Sequence, residues 1–478
     1  MSSEGLLPLD LELGAVVEHL ELHGVRVVDP VAGREGPADL TLDDGVVTEL
    51  RWREERARPA GGIIVAPGFI DLHAHVREPG NEDAETFATG LAAAAHGGFT
   101  TVCVMPDTEP PIDEASTLRA VLARAAEAGQ RTPIRVMAWG AASRRREGKG
   151  LAELGELAMA GAVGFTDDGA PIPGGLLRNV LAYAGMVGRP VADHAQDREL
   201  AAGAEASEGL VATVLGLKGW PRAAEESVVA RDIAVLADVI AADPGEARLH
   251  LTHVSTAGSV ELVRRAKAAG LPVTCDVTPH HLALTDEWLA GGRRWSWQGD
   301  DDVWAAGAIS GPPYDPNLRV DPPLRSATDA RALLAGLADG TVDAIATDHA
   351  PHTTVDKEVE FGLAANGISG IETALGVLLE AVAAESLGLL RVVEALTVGP
   401  ARVLRGAAGG GWEIAAPSLE VGHVADLVVV DLDDGWLVSE SSLRSLGKNS
   451  PLLGRRLPGR VLATIAAGRL AYVDPELG

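Results

Sequence analysis

The feature that most constrains the fold of this chain is a regular alternation of apolar, strand-like runs with alanine-rich helical stretches between residues 63 and 400. Buried parallel strands read as continuous apolar runs, and a crossover helix normally connects each strand to the next. The runs are IIVAPGFIDLHAH, TTVCVMPD, IRVMAWG, AVGFTDD, PVADHA, LHLTHVS, PVTCDVTPHH and AIATDHAPH. Eight βα units predict an α/β fold, a closed (β/α)8 TIM-like barrel. An open doubly wound sheet is the alternative, but no glycine-rich dinucleotide fingerprint follows the first run.

Both ends of the chain consist of shorter strand-like segments and turns. Residues 1–62 contain VRVVDP and ADLTLDDGVVTEL, in which the Asp44-Gly45 pair between apolar runs is typical of a hairpin. Residues 401–478 contain the similar segments HVADLVVVDLDDGW and GRVLATIAAGRLAYV. We therefore predict one small β-sandwich domain built from residues 1–62 and 401–478, with the barrel formed by residues 63–400.

One segment, residues 286–320, interrupts the alternation after the seventh run. It is rich in Trp, Gly, Asp and Pro and has no regular periodicity. This composition predicts a long loop insertion, and long loops at this end of a barrel usually shape the substrate pocket. A poorly ordered insertion is the alternative.

Charge and composition exclude several classes of partner. The formal net charge is −28, from 40 basic and 68 acidic side chains, and such a surface repels phosphate backbones and anionic membranes. No apolar run approaches the ~20 residues of a membrane span. The N-terminal stretch MSSEGLLPLDLELG lacks the basic and apolar regions of a secretory signal, so we expect a cytoplasmic protein. Cys103 and Cys275 lie in apolar runs and are predicted to be buried free thiols.

Histidines are concentrated where the predicted strands end. Eight of the thirteen lie at or just beyond these ends: His73, His75, His194, His253, His280, His281, His349 and His352. The carboxyl ends of the strands form the pole at which barrel enzymes place their active sites. His73 and His75 alternate on one strand, so both can face the barrel axis and share one metal ion, although two core histidines are the alternative. Three imidazoles suit one catalytic zinc, whereas four with carboxylates suit two metals and a bridging ligand.

Carboxylates at the same pole complete the predicted site. The fourth run ends in Asp167 and Asp168, of which only one can face the axis and bridge two metals; a turn is the alternative role. Asp348 follows the eighth run. We predict that Asp348 is the general base, which takes the proton of a metal-bound hydroxide and delivers it to a leaving nitrogen; a role as ligand alone is the alternative.

The motifs extend over nearly the whole chain and occur in one order. They are PGFIDLHAHVREPG, ETFATGLAAAAHGGFTTVCVMPDTEP, FTDDG, DHAQD, GLKGWPRAAEESVVARD, THVSTAGSVELV, VTCDVTPHHLALTD, DPPLR, ATDHAPHTTVDKEVEF and GISGIETALG. In these motifs the chain resembles bacterial dihydroorotases of the amidohydrolase superfamily, which are cyclic amidohydrolases.

The resemblance implies a site of two divalent metal ions, expected to be zinc. The implied ligands are His73 and His75 for one ion, His194 and His253 for the other, and Asp168 as the bridge. The family's spacing favours Asp168 over Asp167, but a one-residue difference in the next helix leaves this choice open. Asp348 carries over as ligand and general base, and Arg77 and His352 as groups that hold the substrate's carboxylate.

The chain departs from the family pattern at two substrate-binding positions. Asp107 and Asp321 stand where the family has the asparagines of MPNT and NPPLR. A carboxylate beside an anionic substrate costs roughly 1–4 kcal/mol of Coulomb repulsion per pair, and it lacks the N–H donors of an amide. Both changes favour a substrate with a cationic or donor-rich group. Alternatively, one or both aspartates pair with Arg77 or another cation and reshape the pocket.

Three functions follow from these observations. The first is the reversible interconversion of N-carbamoyl-L-aspartate and dihydroorotate in pyrimidine biosynthesis, by attack of a metal-bound hydroxide on a ring amide. The second is the same chemistry on a dihydropyrimidine, a hydantoin or a specialised-metabolite lactam. The third is a non-catalytic scaffold for a carbamoyltransferase, but such relatives typically lose metal ligands and this chain retains them. The expected partner is a small-molecule substrate, and a homo-oligomer or a carbamoyltransferase partner is left open.

Overall fold

A computed structural model describes residues 12–54, 62–242, 245–299, 309–405 and 416–477. The strands are β1 (His19–Asp29), β2 (Arg34–Asp43), β3 (Val46–Trp52), β4 (Ile63–Pro67), β5 (Phe69–Ala74), β6 (Phe99–Val104), β7 (Arg135–Ala138), β8 (Gly140–Ala141), β9 (Phe165–Thr166), β10 (Val191–Asp193), β11 (Ala206–Ser207), β12 (Gly219–Trp220), β13 (Leu249–Leu251), β14 (Val273–Val277), β15 (Ala344–Ile345), β16 (Leu427–Leu437), β17 (Arg456–Ala466) and β18 (Arg469–Val473). The α-helices are α1 (Phe87–His96), α2 (Ala115–Ala128), α3 (Leu154–Ala160), α4 (Gly174–Met186), α5 (Leu210–Leu215), α6 (Ala223–Ala242), α7 (Ala257–Ala268), α8 (Pro279–Ala283), α9 (Ala327–Ala338), α10 (Thr354–Lys357), α11 (Ala374–Ala383), α12 (Leu389–Leu396) and α13 (Val398–Leu404).

The middle of the chain forms the predicted (β/α)8 barrel. One parallel sheet has the order β5-β6-β7, and a second has the order β8-β9-β10-β13-β14-β15. Only Trp139 separates β7 from β8, so these two segments act as the third barrel strand. A parallel bridge between Ala74 and His349 joins the first strand to the eighth and closes the ring. The fold class predicted from the alternating pattern is confirmed.

Local sequence signals explain where the barrel helices begin. Thr86, Thr256 and Ser326 stand at the N-caps of α1, α7 and α9, and each side-chain oxygen accepts a hydrogen bond from a backbone N–H of the first turn. Such a cap contributes about 1 kcal/mol to helix stability. Two of the alanine-rich stretches between the apolar runs, AETFATGLAAAAHGG and AGSVELVRRAKAAG, contain α1 and α7.

Bulky side chains fill the barrel interior below the strand ends. Trp139 is fully buried there, and its indole N–H donates to the carbonyl oxygen of Leu72 at 2.9 Å. Cys103 packs in the same cluster, and Cys275 lies in the main core; both thiols are free and buried, as predicted. Because the strand ends rest on this packed layer, the side chains that follow them start from fixed positions.

The first strand-like run, residues 63–75, does not form one strand, so its prediction as a single barrel strand is wrong. Residues Ile63–Pro67 (β4) belong to the sheet of the small domain, where β4 pairs with β1 and β16. The barrel strand β5 begins only at Phe69. Between them lies Gly68, where an added Cβ would come within 2.2 Å of the Thr100 side chain. The close approach requires glycine, and the chain passes there from one domain to the other.

Both chain ends build the small β-sandwich domain. Its strands are hydrogen-bonded in one continuous seven-stranded sheet of order β18-β17-β16-β4-β1-β2-β3. The predicted hairpin at Asp44-Gly45 joins β2 to β3, with φ values of 49° and 73° at the two turn residues. Alternate residues of the central strands serve different cores, as the two-residue period of a strand requires. Those in the domain's own core include Ile63, Val65, Leu427 and Val429, and those packed with the barrel include Ile64, Ala66, Val428 and Val430.

In the segment 286–320, residues 286–297 are mostly buried, whereas residues 309–314 are mostly exposed. Its described helices are short 3-10 helices, at Asp286–Ala290 and Pro316–Leu318. Trp288 and Trp295 are buried with ring centroids 5.6 Å apart, and the Arg455 guanidinium lies 4.2 Å from the Trp295 ring. Residues 300–308 lie outside the described part of the chain.

Among the residues described, no helix is both long enough and apolar enough to cross a membrane.

Candidate metal centre

Two histidines at the end of the first barrel strand face one another. The Nε2 atoms of His73 and His75 lie 3.2 Å apart. The Asp168 carboxylate, which follows β9, lies opposite both, with Oδ1 3.3 Å from His73 Nε2 and Oδ2 3.7 Å from His75 Nε2. All three side chains are buried, so the electron-rich nitrogens and oxygens meet with little access to water.

A second pair of histidines extends this cluster across the barrel mouth. His194 follows β10 and His253 follows β13, and His194 Nδ1 lies 3.0 Å from His253 Nε2. Potential ligand atoms of His73, His75 and Asp168 all lie within 4.8 Å of one another, and the same holds for Asp168, His194 and His253. Asp168 is therefore common to two three-ligand groups, the arrangement that two ions with a bridging carboxylate require.

Asp167 faces away from this cluster. Its carboxylate accepts hydrogen bonds from the backbone N–H of Ser143, at 2.8 Å, and from the Ser143 hydroxyl, at 2.5 Å. Because successive residues of an extended chain point to opposite sides, Asp168 faces the histidines when Asp167 faces Ser143. The Arg146 guanidinium donates to the backbone carbonyl oxygens of both aspartates and holds the turn between them.

Asp348 completes the cluster from the end of the eighth strand. Its Oδ1 lies 3.4 Å from His75 Nε2 and 3.5 Å from His73 Nε2. Burial opposes ionisation of Asp348, but attraction to the neighbouring histidines outweighs it and holds the pKa well below its usual range. The carboxylate is therefore ionised at neutral pH.

The electrostatics of the cluster fit divalent cations. Burial disfavours the charged form of His73, yet Coulomb attraction to Asp168 and Asp348 raises its pKa to about 10. Burial and the proximity of His194 lower the pKa of His253 well below its usual value. Four imidazoles with facing nitrogens and two carboxylates form a donor set that zinc and related metals prefer.

Three of the predicted site residues have strained backbones. Arg77, His253 and Asp348 have φ values of 64°, 36° and 48°, in the left-handed region. Such conformations cost of order 1–3 kcal/mol each and persist only where the surroundings fix them. At His253 the backbone N–H donates to Asp276 Oδ1 at 2.7 Å, and Asp276 is itself bonded to His250.

Outside the first histidine pair lies a charged group formed by Arg77 and Asp107. A single oxygen, Asp107 Oδ2, accepts hydrogen bonds from both His75 Nδ1 and Arg77 Nη1, each at 2.8 Å. Burial would raise the pKa of Asp107, but His75 and Arg77 hold it well below its usual range. Asp107 thus neutralises Arg77 and fixes the proton of His75 on Nδ1, which leaves Nε2 free to bind a metal.

His352 lies beside this pair, with Nε2 3.5 Å from Arg77 Nη2. The same Nε2 lies 2.7 Å from the carbonyl oxygen of Asn366, and because a carbonyl only accepts, Nε2 carries a proton. Burial and the nearby Arg77 lower the pKa of His352 to about 4. The imidazole is therefore neutral at pH 7.

The second departure from the family pattern, Asp321, lies elsewhere. Its Oδ1 is 3.4 Å from Nε2 of His194, and its side chain is 27% exposed. Asp107 therefore contacts the first histidine pair, through His75, and Asp321 contacts the second, through His194. Asp107 pairs with Arg77, as one of the alternatives above anticipates, whereas the ion-pair contact of Asp321 is with His194.

Of the eight histidines at the predicted pole, four are outside both three-ligand groups of the described chain: His352, described above, and His280, His281 and His349. His281 Nε2 donates to the Pro322 carbonyl oxygen at 3.0 Å. His349 lies 3.4 Å from Glu85. Burial lowers the pKa of His280 to about 3. His281 thus connects α8 to the loop that contains Pro322.

Two buried carboxylates near the site were missed by reasoning from the sequence. Asp71 accepts from the backbone N–H of Thr347 at 2.9 Å and of His73 at 3.2 Å, and so ties the first strand to the eighth. Glu225 lies on the buried face of α6. Asp71 interrupts an otherwise apolar segment, and an acidic residue at a core position signals a buried, hydrogen-bonded group. Glu225 is followed by Glu226 and Ser227 and carries no such signal in the sequence.

Comparison with known proteins agrees with this geometry. Residues 64–471 match the model of the amidohydrolase family. A dihydroorotase from Anaeromyxobacter sp. (strain K) is 47% identical over 95% of this chain and 98% of its own length. A dihydroorotase from Pelotomaculum thermopropionicum is 43% identical over 95% and 99%. Among solved structures, an L-hydantoinase (dihydropyrimidinase) from Arthrobacter aurescens superposes with a TM-score of 0.75 at 26% identity, over 94% of this chain and 95% of that one.

The barrel with histidines and aspartates at its carboxyl pole defines a metal-dependent hydrolase, and the chain belongs to the amidohydrolase family. Within that family it belongs with the bacterial dihydroorotases, and it is an enzyme that hydrolyses cyclic amides. It binds divalent metal and acts on a small molecule.

Proposed function

We propose that the enzyme interconverts N-carbamoyl-L-aspartate and dihydroorotate, a step of pyrimidine biosynthesis. The observation that carries this proposal is the pair of three-ligand groups that share Asp168, with the Asp348 carboxylate 3.4–3.5 Å from the first histidine pair. The relatives that match nearly the whole chain at 43–47% identity are dihydroorotases, which supports the assignment of the substrate.

The proposed cofactors are two zinc ions. His73 and His75 would hold one ion, His194 and His253 the other, and Asp168 would contact both. Ions bound there would polarise a ring carbonyl and lower the pKa of water.

Asp348 is the proposed proton carrier. In the direction of ring opening its ionised carboxylate accepts the proton of the attacking water and then passes it to the ring nitrogen as the amide bond breaks. Its position beside His73 and His75 keeps the acceptor oxygen within reach of the reacting atoms. Ring closure uses the same groups in reverse order.

The proposed substrate pocket contains Arg77, Asp107, His352 and Asp321. Arg77 offers positive charge to the substrate's carboxylate, and the neutral His352 lies beside it. Asp107 offsets that charge from 2.8 Å and so weakens the attraction for an anion. Asp321 borders the pocket on the side of His194.

The Arg77–Asp107 pair also favours a second candidate substrate, a ring without a carboxylate, such as a dihydropyrimidine or a hydantoin. Because Asp107 already neutralises the Arg77 guanidinium, an uncharged ring is at no electrostatic disadvantage relative to an anionic substrate. The L-hydantoinase of similar fold supports this candidate at the level of reaction class.

A comparison of substrates tests the proposal. Purified enzyme would be assayed for ring opening of dihydroorotate, dihydrouracil and hydantoin, with metal content measured on the same sample. We expect two zinc ions per chain and the highest kcat/KM for dihydroorotate. A higher kcat/KM for dihydrouracil or hydantoin would favour the second candidate, and a chain without metal and without turnover would support the scaffold hypothesis.

We further propose a cytoplasmic location, which the two buried free thiols, Cys103 and Cys275, support. A homo-oligomer or a carbamoyltransferase partner stays a prediction.

A further inference from the structure

Glu225 is a buried carboxylate that the proposed reaction does not use. It lies on the face of α6 that packs on the barrel, and it is 1% exposed. Its neighbours on that face include Val228 and Val229, which are also buried. A buried carboxylate is costly unless hydrogen-bond donors surround it, so its partners indicate what it does.

The first partners of Glu225 are in the loop that follows His253. Glu225 Oε1 accepts from the backbone N–H groups of Ser255, at 2.9 Å, and Thr256, at 3.1 Å. The Ser255 hydroxyl donates to the other oxygen, Oε2. The Thr256 hydroxyl also donates to Oε1, at 3.3 Å. Four donors of one loop thus converge on one carboxylate, just after the strained residue His253.

The remaining partners lie in two other loops of the same rim. Gln196 Nε2 donates to Glu225 Oε2 at 3.3 Å, and Arg325 forms an ion pair with the same oxygen at 3.6 Å. Arg325 Nε also donates to Ser255 Oγ at 3.0 Å. The Trp220 indole donates to Gln196 Oε1 at 3.1 Å, and the Trp220 carbonyl accepts from Arg325 at 3.1 Å, so the contacts form a closed network.

The loops joined by this network are those that carry one half of the proposed metal centre. Gln196 and Ser255 each lie two residues beyond a histidine of the second pair, His194 and His253. Arg325 lies four residues beyond Asp321, which contacts His194. In the described contacts of Glu225, none reaches the loop of His73 and His75.

We infer that Glu225 is a positioning residue that fixes the His194–His253 half of the metal centre by holding three rim loops together. This inference rests on the proposed binuclear centre. Groups in the outer shell of a metal site orient the ligands, and their loss typically weakens metal affinity about 10- to 100-fold. Because the network is one-sided, we expect the loss of Glu225 to weaken one of the two ions.

The experiment compares Glu225→Gln with Asp343→Asn as a matched control. Asp343 is likewise a buried carboxylate that accepts from a backbone N–H, that of Cys275 at 2.9 Å, and binds a cation, Lys267 at 2.6 Å. It lies at the opposite end of the barrel, just before β15. Zinc binding to the metal-free proteins would be measured by competition with a chromogenic chelator, and thermal stability by circular dichroism.

We expect two zinc ions in the wild type, one in His253→Ala, and in Glu225→Gln one unchanged ion and one bound about 10- to 100-fold more weakly. Asp343→Asn should lose thermal stability with both affinities intact. Two wild-type affinities in Glu225→Gln, or the same selective loss in Asp343→Asn, would overturn the inference. A wild type that binds no zinc, or a His253→Ala variant that retains two ions, would instead overturn the metal centre itself.

Ser255→Ala serves if Glu225→Gln does not fold. It removes one hydroxyl donor and leaves the backbone donors of the loop in place. A selective weakening of the same ion supports the inference, and unchanged affinity for both ions overturns it.

Discussion

Asp107→Asn removes one negative charge from the proposed substrate pocket and preserves its geometry. His75 Nδ1 and Arg77 Nη1 both donate to a single oxygen, Asp107 Oδ2. An amide oxygen in that place can accept both hydrogen bonds, and the amide N–H2 then replaces the other carboxylate oxygen with two donors. The substitution therefore tests the charge of Asp107 apart from its structural role.

The expected size of the effect follows from Coulomb's law. A substrate carboxylate about 4 Å from Asp107 is repelled by about 1 kcal/mol in water and about 4 kcal/mol at an effective dielectric constant of 20. The Arg77 and Asp107 side chains are only 14% and 13% exposed, which places the pair between these limits. Since 1.4 kcal/mol corresponds to a tenfold change, we expect the KM for dihydroorotate to fall about 10- to 100-fold.

Steady-state ring opening at pH 7 measures this effect, with dihydrouracil as the control substrate. The charge acts on the substrate and the transition state alike, so kcat should change much less than KM. Dihydrouracil has no carboxylate, and its KM should not change. An unchanged KM for dihydroorotate, or an equal change for both substrates, would refute the electrostatic reasoning.

Three further predictions concern the metal centre, the barrel core and the pH dependence of stability. His73→Ala should lose at least one metal ion and nearly all turnover with the circular dichroism spectrum unchanged, and persistent turnover would contradict the proposed ligands. Gly164→Ala would place a Cβ 2.3 Å from the Trp139 ring, so we expect the free energy of unfolding measured in urea to fall by about 1–3 kcal/mol or more. The control variant is Gly175→Ala, whose Cβ would meet nothing within 4 Å, and it should change the free energy of unfolding by about 0.5 kcal/mol or less. Burial and Arg77 lower the pKa of His352 from 6.5 to about 4 in the folded protein. Between these two pH values the unfolded chain binds more protons than the folded one, so the free energy of unfolding decreases as the pH falls through that range. His352→Gln should flatten this dependence in urea unfolding at pH 7 and pH 5, and an unchanged slope would show that other groups cause it.

The barrel was predictable because its signals are local and repeated. Each buried strand is an apolar run, and the histidines follow those runs at the carboxyl pole. The break at Gly68 was not predictable in this way, because the runs on both sides of it are equally apolar. The Thr100 side chain on the neighbouring strand leaves no room for a Cβ at this position, and no local pattern contains that contact.

The candidate site shows the same limit. Alternation along a strand requires that only one of Asp167 and Asp168 faces the axis, but the choice depends on register, and in the structure Ser143 binds Asp167. The roles of Glu225 and Asp107 likewise depend on loops and strands far apart in sequence. Residue type and spacing locate Asp107, Asp167 and Asp168 but not Glu225, and only the three-dimensional contacts show what each of them binds.

The position of β4 affects how the protein is made. This strand leaves the ribosome early, yet one of its edges pairs with β16, and almost the whole barrel is synthesised between the two. Until β16 appears, β4 presents an open strand edge beside apolar residues such as Ile63 and Val65, and open edges of this kind invite wrong pairing. The small domain can therefore close only after β16 and the strands that follow it have been synthesised.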